Sequence, residues 1–305
     1  MYRFSILKQT VMKQTILLLC LALIIMLLPS CVNKGEDDII VDPEPIIQLP
    51  YDEIGALSGH FSVSPTETIR FSRGLLQYNN DLKEWRFGNT QYEMCHIENN
   101  HKDVENKTGW FDTFGWATSG YKYAPTLLSR RYEDFYSGMN GIVCTEYDWG
   151  YYNKISNGGN RTKIWRTITQ QEWDYIINRR PNSYNKLGFG YINGYHGVIL
   201  LPDDWIAPDN CPFMQFVEFK NRRLQFVSEA IEYSRREWEE MELAGAVFMP
   251  QPFVVHYWSS SSGRDRSVAW SLYVSNSLAL GQQSIKTEYS TGRYVQCFVR
   301  LITDY

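Results

Sequence analysis

Any chemistry in this chain of 305 residues has to come from five histidines, six cysteines or a few neighbouring acids. His60, His96, His101, His196 and His256 fall at no helical metal-ligand spacing. Cys95-His96 with His101 is the one local cluster of metal-ligand types, and it sits in a polar loop beside Asn99 and Asn100. The acid pairs Asp203-Asp204 and Glu239-Glu240 diverge on either a strand or a helix, so neither converges on a substrate. No nucleophile elbow, phosphate-binding loop or dinucleotide fingerprint occurs. The expectation is therefore a protein without catalytic residues, metal or other cofactor.

Recognition chemistry is better represented. From His256 to Tyr294 aromatic residues alternate with short polar side chains and turns, a composition suited to binding. Strand alternation over 267–275 groups Val268, Trp270, Leu272 and Val274 on a core face. Ala269, Ser271, Tyr273 and Ser275 form the opposite, solvent-facing side. Arg264, Asp265 and Arg266 in the preceding turn and Asn276 in the following one complete a candidate ligand-binding set. Tyr273 offers contact area at low entropy cost, and the two arginines offer forked donors. The alternative recognition surface is the run of Gly-aromatic loops between Trp110 and Asn160.

Two helices are needed to hold such a surface, and both carry the same start signal. Thr169-Gln170-Gln171-Glu172 and Ser234-Arg235-Arg236-Glu237 are capping boxes. Ile168 with Trp173 and Tyr233 with Trp238 supply the matching hydrophobic staples, so Thr169, Glu172, Trp173, Ser234, Glu237 and Trp238 are structural residues. The first helix ends before Pro181, the second at Gly245. Alternation predicts one hairpin around Pro65 and another across Asn79-Asn80-Asp81. Strands are expected at 198–201, 246–249, 257–260, 267–275 and 294–302. The order is that of an α+β fold.

Arg3, Lys8 and Lys13 precede an apolar run from Ile16 to Leu28 and a Pro29-Ser30-Cys31 junction, the order of a signal peptide over residues 1–30. The run has thirteen residues, short of the ~20 a membrane-spanning helix requires. Leu28-Pro29-Ser30-Cys31 resembles a lipobox, which implies acylation at Cys31 and anchoring through lipid alone. Residues 31–50 then read as an acidic, Pro-containing tether. Its run Glu36-Asp37-Asp38 resembles export signals that place lipoproteins on the outer face of the outer membrane, and reads equally as a solvated spacer. Removing residues 1–30 takes away three basic groups, leaving 27 Lys and Arg against 34 acids, a balance of −7. Nucleic acid is not an expected partner of such a surface. Cys95, Cys144, Cys211 and Cys297 permit up to two disulfides in any of three pairings in an oxidising compartment.

Several short motifs, in order, resemble one known group. They are Trp165-Arg166-Thr167, Leu200-Leu201-Pro202-Asp203-Asp204-Trp205, Gly245-Ala246-Val247-Phe248-Met249-Pro250, Tyr257-Trp258-Ser259-Ser260-Ser261 and Val299-Arg300-Leu301. Together they resemble the C-type lectin-like fold of bacterial surface lipoproteins related to formylglycine-generating enzymes, over residues 51–305 with a β-hairpin region at about 51–95. The resemblance implies two helices on a twisted, mostly antiparallel sheet, with a loop-rich upper half and a ligand surface in the last quarter of the chain. Relatives include adhesins and pilus-tip proteins, some diversified by retroelements. The implied function is adhesion-like binding of a protein or glycan on host or bacterial surfaces. The alternatives are a pilus or surface-assembly subunit and a divergent enzyme. Enzymatic relatives use paired cysteines with copper, or three histidines with iron, whereas the C-terminal region here has Cys297 alone. Calcium-dependent sugar binding lacks its Glu-Pro-Asn or Gln-Pro-Asp run.

Overall fold

The computed structural model describes residues 48–95, 109–213, 218–220, 223–225, 231–252, 254–277 and 282–305. The signal-like segment, Cys31 and the tether as far as Ile47 lie outside these, as do His96 and His101. Among the described residues no helix is long and apolar enough to cross a membrane.

Local sequence signals set the first elements. Strands β1 (Phe61–Ser62) and β2 (Thr68–Phe71) pair antiparallel, and Ser64 Oγ accepts from the Thr66 and Glu67 amides to close the turn after Pro65. Strands β3 (Leu76–Asn79) and β4 (Glu84–Phe87) form the second hairpin, with Asn79 Oδ1 capping the amides of Asp81 and Leu82. Short strands β5 (Trp110–Phe111), β6 (Thr113–Phe114) and β7 (Arg166–Thr167) bracket the loop-rich stretch. There backbone and rings meet closely: a Cβ on Gly150 would stand 2.8 Å from the Trp165 carbonyl carbon.

Helix α1 (Gln170–Asp174) follows β7, and both bonds of its capping box form: Thr169 Oγ1 accepts from the Glu172 amide while Glu172 accepts from the Thr169 amide. The helix then widens into a π-turn over Tyr175–Arg179 that buries Ile176 and Ile177 together. Strands β8 (Leu187–Ile192) and β9 (Tyr195–Leu200) pair across Asn193-Gly194, both with positive φ (51° and 78°), as a two-residue hairpin turn of this hand demands. After the small ribbon β10 (Glu218–Lys220) and β11 (Arg223–Gln225), strand β12 (Ile231–Tyr233) runs parallel to β8. It feeds α2 (Arg235–Leu243), capped in the same way by Ser234 and Glu237. Each box contributes ~1 kcal/mol. Strand β13 (Val247–Pro250) then pairs with β9.

The C-terminal part is a meander of long strands: β14 (Val255–Ser262), β15 (Val268–Ser277) and β16 (Gln282–Gly292). The expected single strand over 294–302 is instead two, β17 (Cys297–Phe298) and β18 (Leu301–Thr303), which join different sheets. Between them the buried Arg300 guanidinium donates to Ser72 O at 2.6 Å, Gln91 Oε1 at 2.9 Å and Phe248 O at 3.4 Å. A buried arginine with three fixed acceptors dictates the local path, so the ladder breaks there. The sheets run β1-β2-β18-β7, β12-β8-β9-β13, β16-β15-β14-β17-β6 and β4-β3-β5. The fold is thus α+β, rich in sheet, with two short helices and one strand pair linking the first hairpin to the chain's last strand.

Three apolar clusters fill it. One joins Trp173 of α1 to Tyr257, Leu272 and Val274; one packs Trp116, Trp149, Trp165 and Trp258 in the loop-rich part; one lies around Trp238 and Phe248 beside α2. Asp148 is buried in the second cluster's frame, where it accepts from the Cys144, Gly150 and Thr167 amides and from Thr167 Oγ1. The disulfides allowed by the cysteine count are not formed: Cys95, Cys144, Cys211 and Cys297 are all free thiols. Cys297 points into the core, where burial pushes its pKa well up.

Burial also makes the fold acid-sensitive. His196 stacks on Phe189 at 5.3 Å, and desolvation lowers its pKa to about 4 from 6.5. The folded state therefore binds fewer protons than the unfolded chain, so this contribution is complete above pH 6.5 and is lost as pH falls toward 4. The loss from this residue is at most ~3 kcal/mol. Thermal melts between pH 7.5 and 4.5 should show it, and His196→Phe, which keeps the stacking, should flatten the slope. An unchanged slope in the variant would place the acid sensitivity elsewhere.

Candidate recognition cleft

The candidate residues proposed from alternation do not form one surface. Arg264, Asp265 and Arg266 are exposed at the tip of the β14–β15 hairpin, with Arg264 5.6 Å over Trp270. Ser267, through its amide and hydroxyl, holds the Asp265 carboxyl below its usual pKa range. Arg293 braces this turn from beneath, donating to Val268 O at 3.0 Å, to Ser262 Oγ at 2.7 Å and to Tyr136 O. Tyr273 lies five residues further along the strand than Val268, about 17 Å away at the rise of a strand.

Ala269, Ser271 and Ser275 are buried, not solvent-facing, and Val268 and Trp270 are the half-buried ones. Alternation holds along β15, since the extra residues of both register shifts lie on β14 and β16, but both faces of the strand are covered: Ala269 packs with Trp258 in one cluster, Leu272 and Val274 in another. Asn276 pairs with Gln283 in the ladder, and its side chain lies outside what is described.

What the fold does gather is centred on Tyr273. His256, Tyr273 and Lys286 lie side by side on β14, β15 and β16. Tyr273 and Tyr289 stack with centroids 4.5 Å apart and planes 15° apart, and His256 meets both rings at 5.2 and 5.0 Å. The Lys286 ammonium stands 5.4 Å from the Tyr273 ring and 5.8 Å from that of Tyr289. Below them His256 Nδ1 lies 3.1 Å from Ser271 Oγ and 3.2 Å from Thr291 Oγ1, and the hydroxyls are 2.7 Å apart. Burial lowers the His256 pKa, which keeps the ring neutral at pH 7.

Tyr289 reaches this row because β16 carries a bulge. Ser271 pairs with Tyr289 and Tyr273 with Lys286, so Thr287 and Glu288 stand against Leu272 alone. Across from this bulge lies the π-turn of α1, and between them is a cleft of about 540 Å³ lined by Asp174, Asn178, Arg179, Lys286, Thr287 and Glu288. Asp174 organises its floor: it accepts from Asn178 Nδ2 at 2.8 Å and Thr287 Oγ1 at 3.1 Å, and Arg179 Nε lies 2.5 Å from its other oxygen. Asn178, Arg179, Lys286 and Glu288 are exposed. A π-turn and a β-bulge each forgo regular backbone pairing and recur where side chains must be re-aimed at a functional site. Here both face the same cleft.

No family model, curated protein or solved structure matches this chain. The cleft's chemistry must therefore be read from its own side chains. Lys286 joins the two halves of the site, lining the cleft and covering the tyrosine pair. Among the described residues no group of three His, Cys, Asp or Glu side chains is placed to hold a metal ion. The acid pairs are otherwise engaged: Asp203 with Arg180 and Lys186, Asp204 with His60, and Glu239 and Glu240 with Arg235 and Arg236 one helical turn earlier. His256, Tyr289, Lys286 and Asp174 were absent from the sequence-derived candidates. The composition of the stretch from His256 to Tyr294 was a signal for the first three, whereas nothing in the sequence around Asp174 sets it apart from an ordinary helical acid.

Proposed function

We propose that this chain is a surface-displayed lipoprotein, anchored through Cys31 to the outer membrane, whose domain over residues 51–305 binds a ligand on host or bacterial surfaces. The reading takes the domain as C-type lectin-like, supported by two capped helices, by the pairing of β2 with the last strand, and by a loop-rich aromatic half. The observation that carries the binding function is the cleft: two backbone irregularities converge on exposed polar groups beside a stacked tyrosine pair. Such a site positions groups for contact, and its one hydroxyl–imidazole cluster, Ser271 and Thr291 with His256, is buried beneath the tyrosines, which favours recognition over catalysis.

The test is adhesion of cells displaying the full chain to epithelial and bacterial surfaces. A Tyr273→Ala, Lys286→Ala, Tyr289→Ala variant should lose adhesion at least ~10-fold, the usual weight of one or two aromatic anchors in an interface. Lys286→Ala alone, at an exposed position, should weaken adhesion with an unchanged melting temperature. Adhesion equal to wild type in both would overturn the assignment.

A further inference from the structure

We infer that the cleft between the π-turn of α1 and the bulge of β16 takes a hydroxyl-rich glycan, held directly by side chains without a bridging cation. The inference rests on the proposed binding role of this cleft and specifies its ligand. Donors and acceptors are interleaved around it: the Arg179 guanidinium, Lys286 ammonium and Asn178 amide beside the carboxylates of Asp174 and Glu288. A purely anionic ligand would meet two carboxylates there, and a purely cationic one would meet two cations. A sugar hydroxyl donates and accepts at once, so it satisfies both kinds of neighbour.

Shape and surroundings agree. The cleft's volume of about 540 Å³ falls within the range of small-molecule sites, roughly 300–1,000 Å³. A folded protein partner instead requires a broad patch of ~800 Å² on each side. Ile285, the apolar side chain of the lining, supplies surface against which the C–H face of a sugar can pack, while its hydroxyls remain free to bond. Asp174 is saturated by Asn178, Thr287 and Arg179, so its role is to fix the donors around it and not to ligate an ion. Glu288 then stands as the acceptor open to the ligand, with Arg179 and Lys286 as the open donors.

The full-length protein should be applied to a printed array of neutral and acidic oligosaccharides in the presence of EDTA, beside an Arg179→Ala, Glu288→Ala variant. Both substituted side chains are exposed, and loss of the partly exposed Arg179–Asp174 ion pair should lower the melting temperature by only a few degrees. Wild type should retain neutral oligosaccharides in EDTA, and the variant should bind them at least ~10-fold more weakly. Binding abolished by EDTA, or unchanged in the variant, overturns the inference. A blank array with adhesion that is protease-sensitive and still dependent on Tyr273 and Lys286 identifies a protein ligand and overturns the glycan inference alone. A blank array with no adhesion to any surface overturns the binding function as well.

Discussion

Replacing Arg300 by methionine should destabilise the domain by about 4 kcal/mol, read as a lower urea midpoint for the full chain. The side chain is fully buried and its charge persists, because burial lowers its pKa only to about 10. Its guanidinium ties three otherwise separate pieces: Ser72 at the end of the first hairpin, Gln91 after the second, and Phe248 in β13. Gln91 extends the tie, donating to Ala246 O at 2.9 Å and accepting from the Phe248 amide at 2.8 Å. Methionine fills similar volume but leaves the Ser72 carbonyl and part of Gln91 without a donor in a dry interior. Each orphaned group costs ~1–3 kcal/mol. Arg300→Lys retains charge but cannot fork between two acceptors, and should recover less than half the loss. A methionine variant within ~1 kcal/mol of wild type would show that the network relaxes around the gap.

Asp148→Ala should be comparably costly, about 3–4 kcal/mol, and its damage should be local. Four donors converge on this buried carboxylate: the amides of Cys144, Gly150 and Thr167, and the Thr167 hydroxyl. Burial alone raises its pKa, and those bonds oppose the rise by favouring the ionised form. Alanine removes the acceptor and strands all four. Since Asp148 joins the loop around Cys144 to β7, hydrogen exchange should accelerate first between residues 142 and 167, before the strands of the C-terminal meander. Asp148→Asn keeps one acceptor oxygen and should fall between the two. Uniform acceleration across the domain would mean that the loop-rich half is not a separable unit of stability.

What could be read from the sequence follows a physical divide. Both capping boxes and both N-terminal hairpins were legible because each is decided within about ten residues, by a hydroxyl, a Glu or an Asn turn. Strand β16 was not: Gln282 to Ser290 is mostly polar, and its membership in the sheet comes from pairing with β15 rather than from its own pattern. Alternation groups the two faces of β15 correctly, but the side expected to face solvent is covered, because the strand is packed on both faces. Hence Ser271, expected at the surface, is buried against His256 and Thr291. Asn193-Gly194 marks a hairpin as strongly as any dipeptide can, yet β8 was missed because Leu187-Gly188-Phe189-Gly190 dilutes alternation with glycine. The cleft depends on a π-turn and a bulge meeting across more than a hundred residues, a coincidence that no local pattern encodes.

The most direct test of the central claim, that recognition occurs at the cleft and its tyrosine pair, compares two variants in one adhesion assay with cells displaying the full chain. One removes Tyr273, Lys286 and Tyr289; the other removes Tyr121 and Tyr152, which are 69% and 51% exposed in the loop-rich half. With both variants folded, the first should lose adhesion at least ~10-fold while the second stays within about twofold of wild type. Loss in the loop variant with full adhesion in the cleft variant would contradict the account and move the recognition surface to the loops between Trp110 and Asn160.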